Sequence, residues 1–164
     1  MKPSYSILWA PWRLKFVKKK KVKSCIFCKK VKTKNDKKNY VLYRGKYNFV
    51  MLNIYPYTNG HLMVAPYRHV NEISKLQKEE LYELFYLVGR MIEILKKTHK
   101  IDGANVGINL GKVAGAGVVG HLHVHVIPRW NGDTNFMLTV SNTKVIPESL
   151  EHTYTVLMKE VIKL

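Results

Sequence analysis

Three histidines alternate with apolar residues in Gly120-His121-Leu122-His123-Val124-His125-Val126-Ile127-Pro128, and this alternation restricts the chain more than any other stretch. A strand turns successive side chains to opposite faces, so a period of two places the three imidazoles on one face and Leu122, Val124 and Val126 against the core. Three of the chain's seven histidines on one strand face make a chemical surface rather than a packing surface. Neutral imidazole is a good nucleophile near pH 7, and its neighbours can donate protons to a phosphate oxygen or a leaving group. Imidazoles converging from one face can also share a metal ion. The preceding loop, residues 111–120, is built largely of small residues that let backbone N–H groups approach phosphate oxygens. It lacks the G-x-x-x-x-G-K-[ST] pattern of a P-loop. Phosphate chemistry fits this loop better than metal binding alone.

Around this segment the patterning predicts an alternation of strands and helices. Residues 41–43 and 49–52 read as paired strands joined by Arg44-Gly45-Lys46. Residues 62–65 read as a third strand, with His61 at its start and His69 just past its end. Residues 105–108 add another. Leu81, Leu84, Phe85, Val88, Met91, Ile92 and Leu95 recur at helical spacing and predict a core-facing helix over 75–98, with Ser74 and Gln77 as its capping box. Residues 29–39 read as an exposed loop. A C-terminal helix should follow Pro147, placed in its first turn, with Leu150, Tyr154, Leu157, Met158 and Val161 on one face.

At 164 residues the chain suits one domain with a real hydrophobic core and needs no disulfide to hold it. Its net charge is +17, and residues 1–40 alone contribute +13. Such a segment points to a polyanionic partner, whether nucleotide, nucleic acid or membrane surface, or else is a solvated lysine-rich surface. The only cysteines, Cys25 and Cys28, form a C-x-x-C that reads as a metal half-site, a redox pair or two inert thiols. One such pair supplies two of zinc's four ligands, so the others must come from elsewhere. No apolar run approaches the roughly 18 to 20 residues that span a bilayer, and the N-terminus has no apolar signal stretch. The expectation is a cytoplasmic protein without membrane contact.

The H-x-H-x-H pattern at 121–127 and the upstream G-H-x-x-V-x-P-x-x-H at 60–69 together resemble the histidine-triad (HIT) nucleotide hydrolases and transferases. Leu8-Trp9-Ala10-Pro11-Trp12-Arg13, Cys25-Ile26-Phe27-Cys28 and the segment from Pro128 through Asn135-Phe136-Met137 look like the branch that contains bacterial diadenosine polyphosphate phosphorylases and related hydrolases. The resemblance covers about residues 8–140. It implies an α+β, HIT-like fold with a sheet of about five antiparallel strands, a long central helix and a C-terminal helix. A single HIT domain over 1–164 would comprise a basic segment (1–40), a catalytic core (41–140) and the C-terminal helix (141–164). A homodimer is the expected assembly.

The same resemblance implies roles for individual residues. His123 would be the nucleophile that forms a nucleotidyl-histidine, His125 would hydrogen-bond the α-phosphate, and His61 would order the triad that His121 completes. Asn53 would contact ribose and Asn109 the phosphate or leaving group, with Gly115, Gly117 and Val118 lining the phosphate site. Leu52 and Ile54 would meet adenine only through apolar contact. Many relatives carry Ser, Thr or Gln where Gly117 and Val118 stand, which leaves backbone N–H groups for that work or implies a different leaving-group preference. Cys25, Cys28, His69 and His121 would bind a structural zinc. The implied activity is cleavage of dinucleoside polyphosphates such as diadenosine tetraphosphate, or of related nucleotide conjugates, with water or phosphate as acceptor. A deadenylase acting on DNA ends and a noncatalytic zinc and nucleotide-binding module are the alternatives.

Overall fold

The alternation of apolar residues closes into a five-stranded antiparallel sheet with helices on both faces, an α+β fold. The computed structural model describes residues 24–133 and 145–164. The motif from Leu8 to Arg13, the lysine run from Lys18 to Lys21 and the positions from Thr134 to Met137 lie outside the described residues. Strands β1 (Val41–Arg44), β2 (Asn48–Leu52), β3 (Leu62–Pro66), β4 (Gly103–Ile108) and β5 (Val124–Arg129) are ordered β1-β2-β3-β5-β4. The last strand is thus inserted between β3 and β4. Helices α1 (Ile26–Lys32), α2 (Asp36–Asn39), α3 (Lys78–His99) and α4 (Leu150–Val161) complete the described elements. Residues 24–131 and 146–164 form one compact unit. No helix among the described residues is long and apolar enough to cross a membrane.

The sheet buries both faces, and this decides which side carries chemistry. Leu42, Val50, Leu52, Leu62, Val64, Val124 and Val126 form one core layer with Leu84, Met91 and Leu95 of α3 and Tyr154, Leu157 and Val161 of α4. Each such side chain removed from water contributes about 1.5–3 kcal/mol. The alternate residues Val41, Phe49, Met51, Met63 and Ala65 pack on Phe27 of α1 in a second, smaller layer. The histidines belong to this second side.

Glu83 of α3 fastens the long helix to the β1–β2 turn. Its carboxylate accepts the backbone N–H groups of Lys46, Tyr47 and Asn48 at 2.7, 2.8 and 2.7 Å, and Asn48 Nδ2 at 2.9 Å. Gly45 permits this close approach, because a Cβ there would lie 2.8 Å from Glu83 Oε1. Burial raises the Glu83 carboxyl pKa, but the hydrogen bonds from Asn48, Tyr47 and Lys46 outweigh it and hold the group below its ordinary value.

Five expectations need correction. The segment 29–39 is not a loop: it forms most of α1 and all of α2, because Arg44 gathers the carbonyls of Val31 and Thr33 at 3.0 and 2.9 Å and pairs with Asp36 at 2.7 Å. The long helix starts at Lys78 after a 3-10 turn, Ile73–Lys75, and its capping box is Gln77 with Glu80 rather than Ser74 with Gln77. Phe85 is 48% exposed, with Tyr82 and Tyr86 also on the surface, since the sheet and α4 cover only the Leu84–Met91–Leu95 side. β5 begins at Val124, so His121 and His123 precede the paired strand while keeping its alternation. Pro147 lies outside α4, whose N-cap is Ser149 accepting the His152 N–H.

Candidate active site and metal cluster

The pairing of β3 with β5 sets Met63 opposite His125 and Leu62 opposite Val126. His61, just before β3, then becomes a diagonal neighbour of His125 on the same face, a relation close enough for large side chains to meet. His61 Nε2 and His125 Nδ1 lie 3.0 Å apart. The turn that delivers His61 needs Gly60, whose φ is +72° and where a Cβ would come 2.9 Å from Leu95 Cδ2.

Fixed backbone partners set the protonation pattern of these rings. The Tyr57 N–H donates to His61 Nδ1 at 3.1 Å, so the His61 proton sits on Nε2 and donates to His125 Nδ1. His125 is thereby left with an Nε2–H, a proton donor. His123 Nδ1 lies 2.8 Å from the carbonyl oxygen of His121, which can only accept, so His123 carries its proton on Nδ1 and keeps a lone pair on Nε2. A nucleophilic nitrogen and a proton donor therefore stand on neighbouring rings, with ring centres 4.8 Å apart.

Burial keeps the set uncharged. Desolvation, and then the charges of His125 and His123, push the His61 pKa down to about 3, while desolvation and His123 push that of His125 down to about 4. Desolvation also lowers His123, against the hydrogen bond to the His121 carbonyl. Phe27 seals the second face, with its ring centre 4.8 Å from that of His123 and 5.1 Å from that of His121. Opposite His125, Gly107 of β4 leaves open space, for a Cβ there would meet nothing within 4 Å.

The same folding brings Cys25, Cys28, His69 and His121 together, with ligand atoms all within 4.8 Å of one another. His121 Nε2–H donates to the Pro66 carbonyl at 2.8 Å, which turns the Nδ1 lone pair towards Cys25 Sγ at 3.3 Å and Cys28 Sγ at 3.5 Å. His69 Nδ1 lies 3.4 Å from Cys28 Sγ. Separations near 3.5 Å are those of ligands around a tetrahedral ion with bonds of roughly 2.0–2.3 Å. A carbonyl fixing the remote imidazole nitrogen is the usual support of a metal-binding histidine. The four residues therefore fit a metal ion.

The other expected positions divide. Asn53 lies with its Nδ2 3.4 Å from His61 Nδ1, and its Oδ1 accepts the Tyr55 N–H. Asn109 and Gly115 are adjacent, since a Cβ on Gly115 would lie 3.9 Å from Asn109 Nδ2. Gly117 is exposed, whereas the Val118 side chain packs on the Phe27 layer and leaves only its main chain for a ligand. Leu52 is 0% exposed in the helix-side core and cannot reach a base, which corrects the expected contact with adenine. His121 sits outside the chain of ring hydrogen bonds and reaches His123 through its carbonyl. Phe27 and Pro66 stand inside the C-x-x-C and G-H-x-x-V-x-P-x-x-H motifs, yet the contacts of the Phe27 ring and of the Pro66 carbonyl are set by the fold. Tyr57 acts through its backbone N–H, which leaves no trace in residue identity.

A family model described as the HIT domain matches residues 34–132. The chain is 38% identical over 161 residues to an AP-4-A phosphorylase of Mycobacterium tuberculosis, covering 93% of this chain and 83% of that protein. It is 37% identical over 93 residues to an asymmetrical bis(5'-nucleosyl)-tetraphosphatase of Schizosaccharomyces pombe, covering 57% and 50%. Among solved structures, a zinc-bound histidine triad family protein from Mycobacterium smegmatis superposes with a TM-score of 0.70 at 28% identity, covering 85% of this chain and 94% of the other.

The ring pattern predicts an NMR result. Imidazole nitrogen shifts at pH 7 should place the proton on Nδ1 in His123 and on Nε2 in His61 and His125, with His61 and His125 staying neutral until the pH falls below about 5. A His123 proton on Nε2, or a His125 that charges near pH 6.5, contradicts the arrangement.

Proposed function

Because the chain belongs to the histidine-triad family, we propose that it is a nucleotidyl-transferring enzyme that cleaves dinucleoside polyphosphates such as diadenosine tetraphosphate. The observation that carries this reading is the lone pair on His123 Nε2 beside the Nε2–H of His125. In the proposed first step His123 Nε2 attacks the α-phosphorus and a nitrogen–phosphorus bond forms. The bond to the bridging oxygen breaks, and its electron pair leaves with the rest of the phosphate chain. His125 donates a hydrogen bond to a non-bridging oxygen as charge builds there, and His61 holds His125 in the donating tautomer. Water or inorganic phosphate then displaces the nucleotide from His123. In this reading Asn53 contacts the ribose, and Asn109 with the main chain at Gly115, Gly117 and Val118 the phosphates; the nearness of Asn53 to His61 and of Asn109 to Gly115 supports these roles. Similarity to the AP-4-A phosphorylase along 93% of the chain supports the substrate class. The ordered set of rings favours an enzyme over a noncatalytic binding module.

His123→Ala should lower kcat by several orders of magnitude, about 10⁴-fold or more, and acid-labile adenylate should be trapped on His123 of the wild-type protein. Diadenosine tetraphosphate should give ATP and AMP with water as acceptor, or ATP and ADP with phosphate. Near-normal turnover by the variant sinks the mechanism.

Zinc is the ion proposed for Cys25, Cys28, His69 and His121, since two thiolates and two imidazoles close its tetrahedron and leave no open position. Its role is structural: it ties α1, and with it Phe27, to the segment that carries the nucleophile. A cytoplasmic setting, which keeps both thiols reduced, suits the site. Metal analysis should find one zinc per chain at this cluster. Replacing both cysteines with serine should lower Tm by more than about 5 °C while changing kcat far less than loss of His123. A double variant as stable as the wild type removes the structural role.

We also propose a homodimer. Among the described strands β4 stands at the edge of the sheet with its central residues exposed, and an edge of this kind needs covering. On α3 the exposed Phe85 precedes by one turn Gly89, where a Cβ would meet nothing within 4 Å. A mid-helix glycine costs about 1 kcal/mol relative to alanine, which a close approach by a second copy explains. Phe85→Glu should convert the dimer to a monomer in sedimentation velocity. A monomeric wild type, or a variant of unchanged mass, refutes the assembly.

A further inference from the structure

Two histidines that the proposed reaction does not use meet at the end of α3. His99, the last residue of α3, has a side chain only 6% exposed. With Glu148 and His152 it lines a cleft of about 530 Å³ between the end of α3 and the start of α4. Its tautomer is set by Thr98. The Thr98 hydroxyl donates to the Ile94 carbonyl at 2.8 Å, so in the 2.8 Å contact between Thr98 Oγ1 and His99 Nδ1 the proton must come from His99. The lone pair of the neutral ring then lies on Nε2.

That nitrogen is buried without a hydrogen-bond partner and faces Glu148 Oε2 at 3.4 Å. The other Glu148 oxygen lies 3.7 Å from His152 Nε2. A lone pair opposed to a carboxylate repels unless a cation stands between them. Both separations exceed the 2.7–3.2 Å of an N–H···O hydrogen bond. Each imidazole faces its own oxygen of the one carboxylate, His99 across Oε2 and His152 across Oε1, so the His152 ring has to turn before all three donors can share an ion held at roughly 2.0–2.1 Å. Burial pushes the His99 pKa down, against the pull of Glu148, and so favours the unprotonated ring that a metal requires. His152 is 68% exposed and stands four residues after Glu148, so its ring can turn to complete the set.

We propose that His99, Glu148 and His152 form a second metal site, distinct from the cysteine cluster, for a divalent transition-metal ion such as nickel or zinc. Two imidazoles and a carboxylate are borderline donors of the kind such ions prefer. Three protein ligands leave one position for water. An ion there links α4 to the end of α3, beside the Gly60 turn, where a Cβ on Gly60 would lie 3.8 Å from His99 Cδ2.

Nickel is the useful probe because thiols do not reduce it. Protein purified without chelators and retaining its own metal should take up one Ni²⁺ per chain in a calorimetric titration, with a rise in Tm. His152→Ala and Glu148→Gln should each weaken that uptake at least tenfold and remove the rise. His152→Ala alters an exposed side chain, so the test does not depend on disturbing the buried His99. No Ni²⁺ uptake by the wild type, or uptake that is undiminished in both variants, overturns the site.

Discussion

The register between β3 and β5 is the constraint on which the site rests. With Leu62 opposite Val126 and Met63 opposite His125, Leu62, Val64, Val124 and Val126 enter the helix-side core, while His125 and, just before β3, His61 lie on the other side. A slip of one residue would exchange the faces, burying imidazoles under α3 and exposing valines. The apolar layer therefore defends the chemistry. Val64, Val124 and Val126 are fully buried, and moving them to the other face would expose apolar side chains worth about 1.5–3 kcal/mol each. The end of β3 benefits from the same register, since the Pro66 carbonyl is brought to His121.

Backbone groups do much of the electrostatic work. One N–H, from Tyr57, and one C=O, from His121, assign opposite tautomers to His61 and His123, and the difference propagates to His125 through a single ring contact. With Phe27 packed on His123 and with His61 and His123 buried, these assignments are hard to reverse, because charging a buried ring is unfavourable. The metal cluster follows the same logic: a carbonyl occupies the far nitrogen of His121, and the near one faces the thiols. Phe27 touches both His121 and His123, so the order of α1 and the seating of the nucleophile are physically coupled.

The helices show how residue pattern underdetermines packing. Phe85 falls at a spacing compatible with the apolar stripe of α3, yet α4 and the β1–β2 turn claim the other flank, where Glu83 and Lys97 find their partners. What remains exposed, from Tyr82 to Gly89, is the flank no described element covers. The lysine-rich stretch after Cys28 misled in the opposite sense. Its low apolar content reads as a loop, but Arg44, 8 to 13 residues further along the chain than its partners, satisfies the carbonyls where α1 ends and pairs with Asp36 in α2.

The sequence by itself determined the strands, both long helices, the alternation of His121, His123 and His125 and the C-x-x-C of Cys25 and Cys28, because a period of two, a period near 3.6 and a short spacing are local properties of the chain; that His69 and His121 should join the cysteines was implied only by the family resemblance. The tertiary structure decided the rest. Which nitrogen of each histidine bears a proton depends on backbone groups such as those of Tyr57 and Pro66, whose positions are set by distant pairing. Leu52 lies beside Asn53 in sequence but faces the helices, since neighbouring residues point to opposite sides of a strand. His99 and His152 belong to no sequence motif. They meet at Glu148 only because α4 folds back against α3, and contact across about fifty residues is a property of the fold.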